Sequence, residues 1–472
     1  MHTGEKIIVG IKLLLPLLLA VLLGLMPQPR AAGAALAMAQ AAEARSQPYA
    51  AADQLQQALS ILPWRGDLWE RLGEQRLSSR QYALAAQAYQ KAWLLGNISN
   101  HGLEQLAEAH LGLQEDAGAA LAWQALIQRG GASGEVYARL AAARRRMGDL
   151  LGAVDVLREW QAAFPQDGRA AFALGTHLLL AAPEDAGEVL GQAAELQPAY
   201  AKTVAALQAV QQAVLNEPDE TYRLMILGRA LGQAGEWELA GLAFVQVTEQ
   251  EPEYADAWAM LGEARQQQGL DGREALEKAQ SLAPDSVLVR SLWALYWRRQ
   301  AKPEVALVLY AKLAAQEPQQ AVWQAEMGNA LSEMGDILSA LPYYQQAALL
   351  AGDDPLYWQM LARFSIDHGI DARSVGLPAA RKVLFLRPDD PSALDLMGWT
   401  MLYLQDYPSA ERFLQQAIQL EAAYAPAHLH LGQLYLQTGQ YRKARIHLLQ
   451  AVSLDQQGIT GNMAQRLLDS LY

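Results

Sequence analysis

The sequence predicts an all-α solenoid of antiparallel helix pairs, and three phased patterns predict it. Gly73, Ala107, Ala141 and Gly175 lie on one 34-residue ruler, and Gly228, Gly262, Ala294, Gly328, Ala362, Gly398 and Gly432 continue at or near the same step. A small residue at this period marks a helical repeat array. Bulky residues keep phase with it: Trp69, Tyr137, Leu224, Trp258, Trp358 and Leu394 stand four positions earlier, and Leu72, Leu106, Leu140, Leu174, Leu227, Leu261, Leu361 and Leu431 one earlier. Twelve positions later come Ala85, Ala119, Ala153, Ala240, Ala340, Ala410 and Ala444, followed by a bulky residue such as Tyr89, Trp123, Phe244 or Leu448 and often by a closing proline, as at Pro165, Pro252 and Pro318. Apolar residues at i, i+3 and i+4 stripe a helix, and small residues at a crossing let two backbones approach. Each unit is therefore a helix pair, A then B.

These residues resemble the tetratricopeptide repeat family. The clearest matches are Trp69 to Asn97, where W-x2-L-G is followed by Tyr82, Ala85, Tyr89 and Ala92; Trp258 to Pro284; and Leu431-Gly432-x2-Tyr435 with Gly439, Tyr441, Ala444 and Ala451. The resemblance runs from residue 66 to residue 457. It implies a right-handed superhelix whose concave face binds protein or peptide partners, and a fold that serves many functions.

Composition narrows the classes. With 37 basic and 50 acidic side chains and a net charge of −13, the chain lacks the basic surface that nucleic-acid binding needs. There is no cysteine, which removes disulfides, thiol catalysis and thiolate metal sites. No phosphate-binding loop, dinucleotide fingerprint, zinc-protease pair, nucleophile elbow or calcium loop occurs, so no cofactor, metal or enzymatic activity is expected.

Residues 1–30 read as a signal anchor. Lys6 and Lys12 precede an apolar run from Leu13 to Met26, which fits either a membrane helix or a cleaved signal peptide. The ruler favours the anchor: one step back from Gly73 is Ala39, and cleavage there would split a first helix A whose partner carries Ala51, Leu55 and Ala58. The lysines before the run favour a cytoplasmic N-terminus, so the array is expected outside the cytoplasm. Export after cleavage is the alternative.

The ruler has a fault. Gly175 and Gly228 are 53 residues apart, one period plus one helix. Residues 31–198 read as a first sub-array, 199–218 as one unpaired helix, 219–457 as a second sub-array and 458–472 as a helix capping the last apolar face. Two extra residues near Ser374 to Gly376 and a deletion around Leu270-Asp271-Gly272 are expected in loops.

Carrying the family's groove positions onto this sequence gives Glu70, Glu74, Glu104, Glu108, Phe172, Thr176, Arg229, Glu263, Asn329, Gln359, Arg363, Asp395, Trp399 and Gln433 as candidate partner contacts. The groove would be acidic in its first units, with Arg144-Arg145-Arg146 as a basic counterpoint. Trp399 follows the small Gly398 and so leaves the packing stripe, which makes it either an interface anchor or a filler against the next helix. The carboxylate clamp of chaperone-binding members is incomplete, because Ala325 stands where its lysine would precede Asn329. His428 and His430, two apart on one helix, face different ways and do not form a metal pair. The resemblance thus implies a non-enzymatic scaffold assembling an envelope or secretion complex at a bacterial membrane. An adaptor for a glycosyltransferase or a polysaccharide export system is the alternative.

Overall fold

The structure is a computed structural model and describes residues 30–470. The signal-anchor run lies outside the described residues. Among the described residues there is no strand, and no helix is long and apolar enough to cross a membrane.

The chain forms two compact units. The first, Met1–Ala243, contains the pairs α1 (Arg30–Ala44) and α2 (Pro48–Ile61), α3 (Gly66–Ser78) and α4 (Tyr82–Leu94), α5 (Asn100–Gly112) and α6 (Asp116–Gln128), α7 (Gly134–Arg146) and α8 (Leu150–Ala163), and α9 (Gly168–Ala181) and α10 (Pro183–Leu196). A short 3₁₀ turn, Pro198–Tyr200, then leads to the odd helix α11 (Ala201–Val214), α12 (Glu220–Gln233) and the start of α13 (Trp237–Gln250). The second, Phe244–Tyr472, contains α14 (Ala255–Gln267) and α15 (Arg273–Leu282), α16 (Val287–Arg299) and α17 (Pro303–Gln316), α18 (Ala321–Glu333) and α19 (Ile337–Ala351), α20 (Pro355–Asp367) and α21 (Leu377–Leu386), α22 (Pro391–Tyr403) and α23 (Tyr407–Leu420), α24 (Ala425–Gln437) and α25 (Tyr441–Leu454), and the closing helix α26 (Ile459–Asp469).

The ruler marks helix crossings. A Cβ added to Gly73 would lie 2.8 Å from the Tyr89 ring, and one added to Gly432 would lie 2.5 Å from Leu448 Cδ2, so helix A can meet helix B only through a hydrogen atom. In five repeats the residue four positions earlier ties the pair to the preceding turn. The indole N–H groups of Trp69, Trp258 and Trp358 donate to the carbonyls of Pro63, Pro252 and Gly352 at 2.7–2.9 Å, and Arg290 and His428 take the same six-residue reach to Pro284 and Ala422. The first pair follows the expected register, with Ala39, Ala51, Leu55 and Ala58 fully buried.

The odd helix α11 packs on α10 and α12, because Val204, Leu207 and Val214 give it an apolar face. Two smaller features differ from the sequence expectation. The extra residues at 374–376 form no loop but a π-helical turn, Ala372–Gly376, leading directly into α21. A wider turn absorbs an insertion without rotating the following helix off its packing face. The deletion around Leu270 shortens α15 to 10 residues and brings Gly272 against the Gly262 carbonyl, where a Cβ would have only 2.1 Å.

Candidate partner-binding cleft on the second unit

The shared face of successive A helices in the second unit carries a cleft of about 330 Å³. Helix α20 contributes Gln359, Arg363 and Asp367; α22 contributes Ser392, Asp395, Leu396 and Trp399; α24 contributes Pro426, Leu429 and His430; and Tyr424 stands just ahead of α24. The closing helix α26 supplies a further wall with Ile459, Thr460 and Met463. Its position is fixed by Asp455, whose carboxylate accepts from the backbone N–H groups of Thr460 (3.0 Å) and Gly461 (3.2 Å), and by Ala464 and Leu468, which pack on Leu429 and Leu448.

A stack of charged and aromatic groups organises the floor. The Trp399 and His430 rings are parallel to within 10° at 4.9 Å, and the Arg363 guanidinium lies over Trp399 at 5.9 Å. Stacking a guanidinium on an aromatic face fixes it without consuming its N–H donors. His430 Nδ1 lies 2.7 Å from Asp395 Oδ1, and both residues are buried, 8 % and 6 % exposed. The Asp395 carboxylate is therefore spent on orienting His430, which leaves Nε2 as the ring's remaining hydrogen-bonding atom. Arg363, by contrast, has no hydrogen-bond or ion-pair partner among the described residues. Asp367, one turn later at the rim, loses hydration, which pushes its carboxyl up from the ordinary value against the opposing pull of Arg363. Burial also raises the Tyr424 phenol, so it stays protonated and able to donate.

Of the sequence-derived candidates, Gln359, Arg363, Asp395 and Trp399 meet here. Gln433 is half-buried on α24 and does not line the cleft. Asn329 accepts from the Tyr344 hydroxyl at 2.7 Å. Glu263 is only 6 % exposed and is paired with Arg299 at 2.7 Å. On the first unit, Phe172 and Thr176 are buried, Phe172 stacked on Tyr200 at 4.4 Å and Thr176 bonded to the Phe172 carbonyl. Arg229 is exposed on α12.

Two of the four acidic candidates of the first units, Glu70 and Glu108, are engaged by groups from the following repeats. Glu70 accepts from the backbone N–H of Ser99 at 2.9 Å and from its hydroxyl, and so fixes the N-terminus of α5. Glu108 pairs with Arg139, which also takes Glu135 at 3.0 Å, while Glu104 lines a smaller cleft of about 210 Å³ beside them and Glu74 is exposed. The arginine run is no free basic patch either: Arg144 pairs with Asp149, Arg146 with Asp116, and Arg145 with Glu238.

His428 and His430 point apart, as their two-residue spacing requires. His428 Nδ1 lies 3.1 Å from His447 Nδ1 on α25, whereas His430 turns to Asp395. Among the described residues no group of three or more histidine or acidic side chains could hold a metal ion.

The family model for the tetratricopeptide repeat matches residues 401–468, which include α23 to α25 and most of the closing helix. Residues 401–468 thus carry tetratricopeptide repeat sequence. A stretch of 225 residues is 25 % identical to the peroxisomal targeting signal receptor of Eremothecium gossypii and 24 % identical to that of Candida albicans, covering 46 % of this chain and 38 % of each relative. The match thus spans well under half the length of these curated relatives. Among solved structures, the array is similar to the Cut9–Hcn1 hetero-tetramer of the APC/C (16 % identity, 92 % of this chain and 96 % of that one, TM-score 0.42) and to PilW, a type IV pilus biogenesis factor (17 % identity, 43 % and 94 %, TM-score 0.39).

Proposed function

We propose that this tetratricopeptide repeat chain is a non-enzymatic scaffold that holds a segment of a partner protein in the cleft between α20, α22, α24 and α26. The observation that carries the reading is Arg363: a guanidinium fixed over Trp399, unpaired among the described residues, beside an apolar wall of Leu429, Ile459 and Met463. Preformed clefts with an aromatic–arginine core are typical binding hot spots. The similarity to receptors for a targeting signal supports recognition of a protein segment.

The setting we propose is a bacterial membrane, with the array outside the cytoplasm and an envelope or secretion complex as the assembly served. The apolar run from Leu13 to Met26 would be the anchor. Ala39, fully buried within α1, supports retention over cleavage, because cutting there would bisect the first helix. Affinity capture from native membranes with the full chain and with its Trp399→Ala variant tests the reading. A discrete protein retained by the parent and lost by a variant of unchanged helix content supports it; identical captured sets overturn it.

A further inference from the structure

We infer that the cleft recognises an acidic side chain followed by a bulky apolar one, within an extended partner segment rather than at its C-terminus. This rests on the scaffold reading and assigns the ligand chemistry of its site. The unpaired Arg363 calls for an anion, and a fixed guanidinium presents two parallel N–H donors that match a carboxylate. Gln359, one turn earlier on α20, adds an amide to the same wall. The neighbouring surface is apolar: Leu429 and Pro426 on one side, Ile459 (81 % exposed) and Met463 (43 % exposed) on the other. An exposed isoleucine and methionine on a helix held in place by Asp455 form a ready contact for a hydrophobic side chain.

Two observations narrow the occupant. Trp399 is stacked by His430 from the following A helix and covered by Arg363 from the preceding one, so it offers no bare platform for a sugar ring. The amide and lysine set that would bracket a terminal carboxylate is incomplete, since Ala325 replaces the lysine and Asn329 is bonded to Tyr344. An internal Asp or Glu needs only the one cation that is present. Asp367, one turn later on α20, lies within the field of Arg363 without pairing with it, and removing its charge should strengthen the site for an incoming anion.

The test uses the full chain and a peptide capped at both ends, acetyl-Ser-Gly-Glu-Leu-Gly-Ser-amide, whose only carboxylate is the glutamate. Binding is read by chemical-shift changes of methyl-labelled Met463. The parent should bind it, the Gln-for-Glu peptide should bind about tenfold more weakly, and Asp367→Asn should tighten the glutamate peptide. Arg363→Glu should reverse the preference toward a Lys-for-Glu peptide, which a merely unfolded variant could not do. Equal binding of the glutamate and glutamine peptides, failure of the capped peptide, or a response only to an uncapped C-terminus or to a glucuronate oligosaccharide each overturns the inference. If Arg363→Glu captures the same membrane partner that Trp399→Ala loses, the scaffold reading stands and the acidic-residue assignment falls.

Discussion

Ser46, Arg80, Gln114, Ala301 and Gln405 hold left-handed backbone angles, φ 53° to 63°, at the same place in five repeats: the turn from helix A to helix B. Gly148, Gly235, Gly269, Gly335, Gly369 and Gly439 fill that place in six others. The amide of the next residue reaches back five positions in each turn, as in Lys302 to the Trp297 carbonyl (2.9 Å) and Gln440 to the Tyr435 carbonyl (2.8 Å), so one closing hydrogen bond sets the reversal whatever the side chain. A Cβ in that conformation costs about 1 kcal/mol. Ala301→Gly should therefore raise the melting temperature and Gly439→Ala lower it, each by roughly that energy; thermal denaturation of the two variants checks the signs. Trp69→Phe keeps the ring but loses the bond to Pro63, with an expected cost of about 1 kcal/mol in the same assay.

At the scale of elements, the closing helix both caps the array and completes the cleft. Ending the chain after Gly458 would remove Ala464 and Leu468 from Leu429 and Leu448, at a cost of roughly 2–4 kcal/mol, and would take away Ile459, Thr460 and Met463. Light scattering and a denaturation curve should show a less stable, self-associating protein. In the first unit, Arg145 of α7 bridges two later helices, donating to His177 Nε2 of α9 at 2.9 Å and pairing with Glu238 of α13. Burial, then the Arg145 charge, pushes His177 down to about 4. The unfolded chain, titrating near 6.5, takes up a proton first, so this contribution is intact above pH about 6.5 and falls away as the pH drops toward about 4, by up to roughly 3 kcal/mol. His177→Gln, which keeps an acceptor for Arg145, should flatten the loss of melting temperature across that window.

Over the whole molecule, most of the architecture was legible because a solenoid repeats one crossing: Gly73 against Tyr89 and Gly432 against Leu448 are the same contact at the two ends of the chain. The turns were legible only where glycine marks them, and Ala301 or Gln405 gave no signal because the reversal there is set by backbone bonding. The family's groove positions, carried onto the sequence, placed Gln359, Arg363, Asp395 and Trp399 on one face, yet they could not place His430, whose partner Asp395 is 35 residues away, nor Met463, which arrives only because α26 folds back onto α24. Nor could they show that Glu70, Glu108 and Glu263 find partners in later repeats, at Ser99, Arg139 and Arg299, which stand 29 to 36 residues away.

The central claim is that the cleft between α20, α22, α24 and α26 holds a partner protein. The most direct measurement is site-specific photocrosslinking in native membranes, with a benzophenone side chain at Gln359 inside the cleft and, in a second variant, at the exposed Leu349 on α19. The expected result is a discrete protein adduct from position 359, absent from position 349 and lost when Trp399→Ala is added. Equal adducts from both positions, or none from 359 while the protein still captures its partner, would contradict the account.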